Sequence, residues 1–489
     1  MVMGDLPVET GVLVLGGGPG GYAAAFRAAD LGLDVTLVDD GPGLGGLCLL
    51  HGCIPSKILL QFAELILGSR AAADHGLRFG PPEIDLAAMR AWKDDVVGRL
   101  QEGLEQLCEA RGVQHIRGRG RFAGPNRLLL EDSEYSSVEF GHAIIATGSR
   151  PLLPPGIELR AGGRIMDATG ALALEDIPGR LLVVGGGYVG IGLGTIYAAL
   201  GSSVTLVEES ARLVPEADAD LVEPLAQRLD ELFDAAYTGT RLASAEENSD
   251  GVEVGFKGGS NDGSENGPGD DSRRFDRVLI AVGRAPNTED IGLDAAGLEV
   301  AQDGHIAVDE QRRTAVGHLF AVGDAAGGLQ LAHEAMQEGR VAAEVIAGRA
   351  AAFSPRAVPS VIYSDPEIAW CGLNEIEAER RGIEVEVLRF PWKASGRAQA
   401  MGAAAGMSKL LVEPESGRLL GMGAVGRGAE NLVAEAVLAI EMGALADDMA
   451  LSIHPHPTLS ETLAEAARRR LGGSTHLPPP PAKGGSNAS

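Results

Sequence analysis

The sequence predicts an α/β protein with two Rossmann-like dinucleotide-binding domains and a C-terminal α+β domain. A G-x-G-x-x-G turn occurs twice, each time between an apolar run and a helical run. A later segment alternates short apolar runs with two amphipathic helices. At 489 residues the chain is long enough for about three domains.

The first glycine turn follows the apolar run VLVL and contains Gly16, Gly18 and Gly21. The first glycine permits a tight turn, the second lets a pyrophosphate approach the backbone, and the third allows close helix–strand packing. The next apolar run ends at Asp39, whose carboxylate can bind a ribose 2′-hydroxyl. Strand, glycines, helix, strand and acid follow in order, so we predict a dinucleotide site.

The second glycine turn repeats this arrangement with Gly185, Gly187 and Gly190, and its acid is Glu208. The first glycine and the acid are 23 residues apart in both copies, from 16 to 39 and from 185 to 208. Two copies predict two bound dinucleotides.

The stretch GGLCLLHGCIPSK places Cys48 and Cys53 just before a helical run. Disulfide-bonded Cα atoms lie within about 7 Å, whereas five residues of regular helix rise about 7.5 Å. A bridge therefore needs a distorted turn, for which Gly52 and Pro55 are suited. The spacing leaves two interpretations: two free buried cysteines, or a redox pair whose thiolate the helix N-terminus would favour.

Together these features make the chain, from about Val12 to about Gly473, resemble the pyridine nucleotide–disulfide oxidoreductases, and among them the dihydrolipoamide dehydrogenases. The resemblance is carried by GCIPSK, by ATGSRP at 146–151, by LFAVGDAAG around Asp324 and by HPHPTLSE at 454–461. It implies a tightly but non-covalently bound FAD at the first turn and NAD at the second. It also implies a Cys48–Cys53 disulfide that passes electrons between these cofactors and a dithiol substrate.

The same resemblance implies that His456 is the base and that Glu461 orients it, since imidazole titrates near the working pH. His454 has the weaker claim, because the catalytic histidine of the motif directly precedes Pro-Thr. Cys48 would be the interchange thiol and Cys53 the one nearer the flavin. In this family the histidine motif comes from the partner subunit, which implies an obligate homodimer.

The implied reaction is reoxidation of protein-bound dihydrolipoamide with reduction of NAD⁺, as part of 2-oxo acid dehydrogenase or glycine cleavage complexes. The chain has no segment resembling a lipoyl domain, so the lipoyl group would come from an acyltransferase or a lipoyl carrier protein. Further FAD contacts are implied at Lys57, Gly120, Thr147, Gly148, Asp324 and Ala332, and further NAD contacts at Gly283 and Arg284. We assign no metal site.

Five segments are expected. They are an FAD-binding domain in two parts (1–151 and 283–352), an NAD-binding domain inserted between them (152–282), a dimerisation domain (353–472) and a disordered tail (473–489). The polar stretch 258–272 has no apolar residue except a proline and is expected to be a flexible loop.

Composition limits the function and the compartment. The 41 basic and 68 acidic residues give a net charge of −27, which argues against nucleic acid as a partner. Four cysteines without a secretory leader fit a reducing cytoplasm. No uninterrupted apolar run reaches the roughly 18 residues of a membrane span, so we expect no membrane partner.

Some positions depart from the family pattern. Leu47, Leu50 and His51 replace the usual threonine, asparagine and valine around the cysteines, and Gly192 replaces a glutamate that pairs with Lys57. The alternatives are a glutathione-type reductase, a mercury-type reductase and a non-catalytic flavoprotein. A glutathione-type reductase would need basic residues directly after Glu208, and a mercury-type reductase would need a C-terminal cysteine pair. The chain has neither. The last would show a damaged cysteine pair or histidine motif, and both are intact.

The net charge of −27 leads to a prediction about salt. If the acidic surface suits a salt-rich cytosol, self-repulsion should destabilise the fold at low salt, because the Debye length is about 30 Å at 0.01 M and about 3 Å at 1 M. The melting temperature, measured by calorimetry, should then rise as KCl is added over this range. A flat or falling trend would leave solubility as the explanation of the charge.

Overall fold

The computed structural model describes residues 7–258 and 273–478. The chain up to residue 151 forms the first part of one domain. Its helices are α1 (Pro19–Asp30), α2 (Gly46–His51), α3 (Cys53–Ala71) and α4 (Leu86–Ala110). Its strands are β1 (Pro7–Leu15), β2 (Val35–Asp39), β3 (Gln114–Arg117), β4 (Arg119–Gly124), β5 (Arg127–Glu131), β6 (Ser137–Ile145) and β7 (Ser149–Pro151).

The inserted second domain has its own helices and strands. The helices are α5 (Ala168–Ala173), α6 (Tyr188–Leu200) and α7 (Ala219–Leu232). The strands are β8 (Ile165–Met166), β9 (Arg180–Val184), β10 (Ser203–Val207), β11 (Ala235–Tyr237), β12 (Thr240–Asn248), β13 (Gly251–Gly258), β14 (Arg273–Phe275) and β15 (Arg277–Ile280). Of the loop predicted at 258–272, all but Gly258 lies outside the described residues.

The first domain then resumes and a third domain follows. The resumed part contains β16 (Arg284–Pro286), β17 (Leu319–Ala321) and α8 (Ala332–Ile346). The third domain contains β18 (Ser360–Ile362), β19 (Ile368–Gly372), α9 (Glu375–Arg381), β20 (Glu386–Pro391), α10 (Gly396–Ala400), β21 (Met407–Val412), β22 (Leu419–Val425), α11 (Ala429–Glu441), α12 (Ala446–Leu451) and α13 (Glu461–Arg468).

Two parallel sheets form the first and second domains, as the two glycine turns predict. In the first, β3, β2, β1, β6 and β17 are parallel, and the hairpin β4–β5 extends the sheet in antiparallel fashion. In the second, the order is β11-β10-β9-β15-β8. Residues 12–15 of β1 and 181–184 of β9 are apolar and buried, as expected for the central strands of such sheets. Each glycine turn therefore lies at the carboxyl end of a central strand, where dinucleotides bind.

The third domain is built on an antiparallel sheet with the order β18-β19-β22-β21-β20. Helices α11 and α13 pack against it, and their buried faces share one core with the sheet. This confirms the predicted fold class, in which two α/β domains are followed by an α+β domain.

A buried lysine connects the second and third domains. The side chain of Lys409, on β21, is fully buried, and its Nζ lies 2.6–2.7 Å from carboxylate oxygens of Asp218, Asp220 and Glu375. These three acids are close enough together to hold a cation, and the ammonium group of Lys409 occupies that position. Since removing one member of a buried ion cluster is costly, this contact fixes the third domain against α7.

One helical stretch, Gly46–His75, has the length and apolar composition of a membrane-crossing helix, although no uninterrupted apolar run predicts one. The stretch is divided at Gly52 into α2 and α3. Leu59, Ala63 and Leu67 of α3 lie in a core shared with the second domain. We therefore interpret α3 as a helix that packs on the protein core through one face.

Residues 473–478, predicted as the start of a disordered tail, contact the third domain. Ser474 is buried and its hydroxyl donates to the carboxylate of Glu465 on α13, while Leu477 packs on the core of the third domain. Residues 473–478 are therefore attached to this domain, because they satisfy a carboxylate that is itself buried. The rest of the predicted disordered tail, 479–489, lies outside the described residues.

Candidate active site

A cleft of about 2550 Å³ brings together both glycine turns and the cysteine pair. This is larger than the 300–1,000 Å³ typical of a small-molecule pocket and suits two dinucleotides. The predicted residues that line it are Gly16, Gly18, Asp39, Cys48, Cys53, Lys57, Thr147, Gly148, Gly185, Gly187, Glu208, Gly283, Arg284, Asp324 and Ala332. Five predicted residues do not line it: Gly21, Gly120, Gly190, His456 and Glu461.

The first glycine turn has the geometry that its sequence predicts. Gly16 has a φ of +107°, and a Cβ there would lie 2.2 Å from the carbonyl oxygen of Ala146. A Cβ at Gly21 would lie 1.8 Å from the carbonyl oxygen of Gly16, which explains how closely α1 packs on the turn. At Gly18 the nearest atom to such a Cβ is 3.9 Å away, so the backbone is open to the cleft.

The second turn repeats these distances. A Cβ at Gly185, where φ is +114°, would lie 2.3 Å from the carbonyl oxygen of Ala281, and a Cβ at Gly190 would lie 2.0 Å from the carbonyl oxygen of Gly185. Nothing lies within 4 Å of a Cβ at Gly187. Gly18 and Gly187 are also the N-caps of α1 and α6, and neither helix has a side-chain cap. Both turns therefore offer free backbone N–H groups that suit a pyrophosphate.

The two acids are held by backbone donors. Asp39 accepts from the N–H of Gly17 at 2.5 Å and of Gly41 at 2.9 Å. Glu208 accepts from the N–H of Gly186 at 2.6 Å and of Ser210 at 2.7 Å. Because each carboxylate oxygen has two lone pairs, each acid can still accept from two hydroxyl groups, as a ribose requires.

Cys48 and Cys53 are joined by a disulfide bond, with Cα atoms 4.7 Å apart. Gly52, at φ −141° and ψ −97°, interrupts the helix between α2 and α3 and lets the two cysteines approach. This confirms that the bridge needs a distorted turn at Gly52. Cys53 is the first residue of the 19-residue helix α3, which has no side-chain cap. The helix dipole therefore favours a thiolate on Cys53 when the bond is reduced.

Asp324 also lines the cleft and is held by Ser149, which sequence reasoning missed. Its carboxylate accepts from the hydroxyl of Ser149. Arg284 donates from Nε to the Ser149 hydroxyl at 2.7 Å, and its Nε lies 3.7 Å from Asp324 Oδ2. Arg284, predicted as an NAD contact, thus binds Ser149 and approaches Asp324 within the first domain. The antiparallel pairing of β7 with β16 produces this contact.

The turn at Thr147 and Gly148 is held by Asn287, which sequence reasoning also missed. The Thr147 hydroxyl donates to the carbonyl oxygen of Asn287 at 2.7 Å, and the Asn287 side-chain amide donates to the carbonyl oxygen of Thr147 at 3.0 Å. Gly148 has a φ of +70°, which favours glycine. Asn287 is 140 residues away in sequence, so no local pattern indicates it.

Gly120 lies away from the cleft, in the hairpin of β4 and β5. A Cβ there would lie 2.7 Å from side-chain atoms of both Leu15 and Leu128, so the glycine is required for packing. Gly118, two residues earlier, donates its N–H to the carbonyl oxygen of Asp39 at 3.0 Å. The structure gives Gly120 a packing role in the hairpin, and its contact with FAD stays a prediction.

His456 and Glu461 form the expected pair on the surface of the third domain. His456 Nδ1 lies 2.9 Å from Glu461 Oε1, and Glu461 Oε2 accepts from the N–H of Thr458 at 2.8 Å. Burial acts to raise the pKa of Glu461, but the Thr458 N–H and His456 outweigh it and hold this pKa below its usual value. Glu461 is therefore a carboxylate at neutral pH. The His456 side chain is 71% exposed.

Comparisons with known proteins agree with this geometry. The family model described as pyridine nucleotide-disulphide oxidoreductase matches residues 10–339, and the model of that family's dimerisation domain matches residues 358–467. A dihydrolipoyl dehydrogenase from Vibrio parahaemolyticus is 44% identical over 96% of this chain and 98% of its own length. One from Halobacterium salinarum is 43% identical over 97% of this chain and 99% of its own.

Solved structures show the same fold. LpdA from Mycobacterium tuberculosis is 27% identical, covers 94% of this chain and 99% of its own, and superimposes with a TM-score of 0.85. The flavoprotein disulfide reductase RclA from Escherichia coli, at 24% identity, covers 93% of this chain and 98% of its own with a TM-score of 0.81, and is similar in fold alone. The two glycine turns, the disulfide and these matches lead to one conclusion: the chain belongs to the pyridine nucleotide-disulphide oxidoreductase family.

Proposed function

We propose that the chain catalyses the NAD⁺-dependent oxidation of protein-bound dihydrolipoamide. The observation that carries this proposal is the Cys48–Cys53 disulfide, which lines the same cleft as both glycine turns. Relatives that are 39–44% identical over nearly the whole chain are dihydrolipoyl dehydrogenases. A role in glutathione or mercury reduction has less support, because Glu208 is followed by Glu209 and Ser210, and no cysteine follows Cys371.

The cysteines would exchange with the substrate in two balanced steps. A substrate thiolate attacks the sulfur of Cys48, so that the Cys48–Cys53 bond breaks and Cys53 leaves as a thiolate. The second substrate thiol then attacks the mixed disulfide at the substrate sulfur and releases cyclic lipoamide and the Cys48 thiolate. The N-terminus of α3 stabilises the leaving Cys53 thiolate. Two electrons thereby pass from the substrate to the cysteine pair.

His456 would accept the proton of the first substrate thiol, release it to solvent, and then accept the proton of the second thiol. Glu461 holds His456 Nδ1 at 2.9 Å and so leaves Nε2 directed away from the carboxylate as the proton acceptor. The carboxylate also stabilises the imidazolium that forms, as the acid does in hydrolase triads. Both functions require Glu461 to stay ionised, which its lowered pKa ensures.

FAD fits the first glycine turn and NAD the second. Bound FAD supplies two-electron transfer between the cysteine pair and the nicotinamide. Gly18 and the N-terminus of α1 would bind its pyrophosphate, Asp39 its ribose and Asp324 its ribitol region. Gly187 and Glu208 would bind NAD in the same way. The open space at Gly18 and Gly187 supports this assignment.

We further propose that the active enzyme is a homodimer whose sites combine two subunits. His456 and Glu461 do not line the cleft that contains the cysteines. Four apolar side chains near the His456 segment are strongly exposed: Leu438, Met442, Leu451 and Ile453, of which Ile453 is 98% exposed. Apolar surface of this kind marks a protein interface. A second copy that covers this face would bring its own His456 to the cleft.

The partner would be a lipoyl domain of an acyltransferase or a lipoyl carrier protein, in a 2-oxo acid dehydrogenase or glycine cleavage complex. Cys108 and Cys371 are buried free thiols, which fits the reducing cytoplasm that the sequence predicts.

A steady-state assay tests the proposed reaction. The purified flavoprotein should oxidise dihydrolipoamide with NAD⁺ but hardly with NADP⁺. In the reverse direction it should reduce lipoamide with NADH but should reduce glutathione disulfide little with either NADH or NADPH. Glutathione disulfide provides the matched control, because it is also a disulfide but lacks the lipoyl ring. Turnover of glutathione disulfide above that of lipoamide would overturn the proposed substrate.

Glu208 should set the choice of nicotinamide cofactor. Replacing it by alanine removes the ribose acceptor and the repulsion of a 2′-phosphate, so the ratio of kcat/KM for NAD⁺ over NADP⁺ should fall about tenfold or more. The neighbouring Glu209, which is exposed, provides the control: Glu209→Ala should change the ratio less. An unchanged ratio in Glu208→Ala would contradict this assignment.

A further inference from the structure

Lys57 lines the cleft without an acidic partner. It lies one helical turn after Cys53 on α3, so the two side chains share one face. Its Nζ lies 3.3 Å from the hydroxyl of Ser56. No carboxylate oxygen of the described residues lies within 4 Å of this nitrogen. Helix α6 packs on α3, but Gly192 of α6 has no side chain to offer.

An aromatic ring, rather than a carboxylate, contacts the ammonium group of Lys57. Nζ of Lys57 lies 3.9 Å from the ring centroid of Tyr363, well within the roughly 6 Å of a cation–π contact. Tyr363 directly follows β18 and therefore belongs to the third domain. A Cβ at Gly192 would lie 3.3 Å from the carbonyl oxygen of Tyr363 and would meet no other atom within 4 Å. All three domains thus meet at Tyr363.

The contact involves one charged and one neutral group. Burial lowers the pKa of Lys57 to about 8, so that its charge changes near neutral pH. Burial and the charge of Glu430 raise the pKa of Tyr363, so its phenol stays neutral. Cys53, one helical turn earlier on α3, is held in the disulfide and does not titrate in this form, and Gly192 of α6 has no titratable side chain. The ring of Tyr363 is therefore the main feature that favours the charged form of Lys57.

We propose that Tyr363 is a positioning residue, whose ring holds the ammonium group of Lys57 in the cleft wall and keeps it charged. A positive charge at this place favours negative charge on reduced Cys53 and on the reduced flavin. The effect on the flavin rests on the proposed function, in which Lys57 lies beside FAD. The effect on Lys57 itself depends only on the contact with Tyr363.

Two substitutions in the holoenzyme distinguish the effect of the Tyr363 ring from that of its hydroxyl. Tyr363→Phe keeps the ring, whereas Tyr363→Leu removes it and keeps an apolar side chain. The pKa of Lys57 follows from its rate of acetylation by trace acetic anhydride between about pH 6 and 10, with the Lys57 peptide quantified by mass spectrometry. Loss of the ring should lower this pKa by about 0.5 to 1.5 units in Tyr363→Leu. Tyr363→Phe should resemble the wild type.

The flavin midpoint potential gives a second readout that a merely structural role would not move in the same way. At about pH 6 Lys57 is mostly charged in all variants, so their potentials should differ least. At about pH 8 Lys57 is largely neutral in Tyr363→Leu but half charged in the wild type, so the potential of Tyr363→Leu should be lower. Tyr363→Met, which also lacks the ring, replaces Tyr363→Leu if the latter loses its flavin.

Three results would overturn the proposal. A Lys57 pKa that is unchanged or raised in Tyr363→Leu would mean that the ring only excludes water. A potential that differs equally at both pH values would show a structural effect. A lowered pKa without any change in potential would remove the electrostatic role. Absence of lipoamide turnover in the wild type would overturn the proposed function instead, because the pKa measurement requires no substrate.

Discussion

Replacing Cys53 by serine should abolish lipoamide turnover while FAD stays bound. The substitution removes the leaving thiolate, so no disulfide is available to accept the two electrons of the substrate. Serine differs from cysteine by one atom and is tolerated at the start of α3, because residues of this type suit helix N-termini. The glycine turn around Gly18 and the acid Asp39 lie on other elements, so flavin absorbance should persist. Stopped-flow and steady-state assays at matched flavin content measure the loss.

Cys108→Ala is the matched control for this variant. Cys108 is buried on α4 in a hydrophobic core, and its thiol donates a hydrogen bond to the carbonyl oxygen of Val113, at 3.6 Å. We expect its turnover to stay within about twofold of the wild type, because a buried cysteine behaves as a small apolar residue. Full lipoamide turnover by Cys53→Ser would refute the assignment of the redox pair.

The sequence predicted the parts of the site that depend on neighbouring residues. The glycine turns could be predicted because their tight φ angles and close contacts arise within one βαβ unit, as at Gly16 and Gly185. The acids Asp39 and Glu208 follow from the same local order. The interrupted helix at Gly52 also follows, since a bridge across five residues cannot form in a regular helix. In each case the spacing along the chain determines the geometry.

Contacts between distant segments could not be predicted in this way. Tyr363 is 306 residues from Lys57 (363 − 57), and Asn287 is 140 residues from Thr147. Nothing in the sequence around Tyr363 or Asn287 indicates that these residues contact Lys57 and Thr147. The packing of Gly120 is also non-local, because a Cβ there would meet Leu15 of β1, and its predicted contact with FAD stays a prediction.

His456→Gln should reduce lipoamide turnover by a factor of about 10² to 10⁴, the usual contribution of a general base. Glutamine keeps a polar side chain at this exposed position but cannot accept the proton of a thiol. Its partner Glu461 remains held by the N–H of Thr458, so the local fold should persist. His454→Gln is the control, since His454 is directed at Glu435, at 2.8 Å, rather than at Glu461. An equal loss in both variants would point to a structural role for the whole segment.

Mixed dimers test whether His456 acts on the cysteines of the other subunit. If it does, a dimer of one Cys53→Ser subunit and one His456→Gln subunit has one intact site, because the wild-type cysteines of the second subunit meet the wild-type histidine of the first. Such a dimer, isolated through two different affinity tags, should show about half the wild-type turnover. The reciprocal dimer carries both substitutions on one subunit and none on the other. It has no intact site in this arrangement and should be nearly inactive. If each site were built from one chain, the two results would be exchanged, since only the unsubstituted subunit of the reciprocal dimer would then be active.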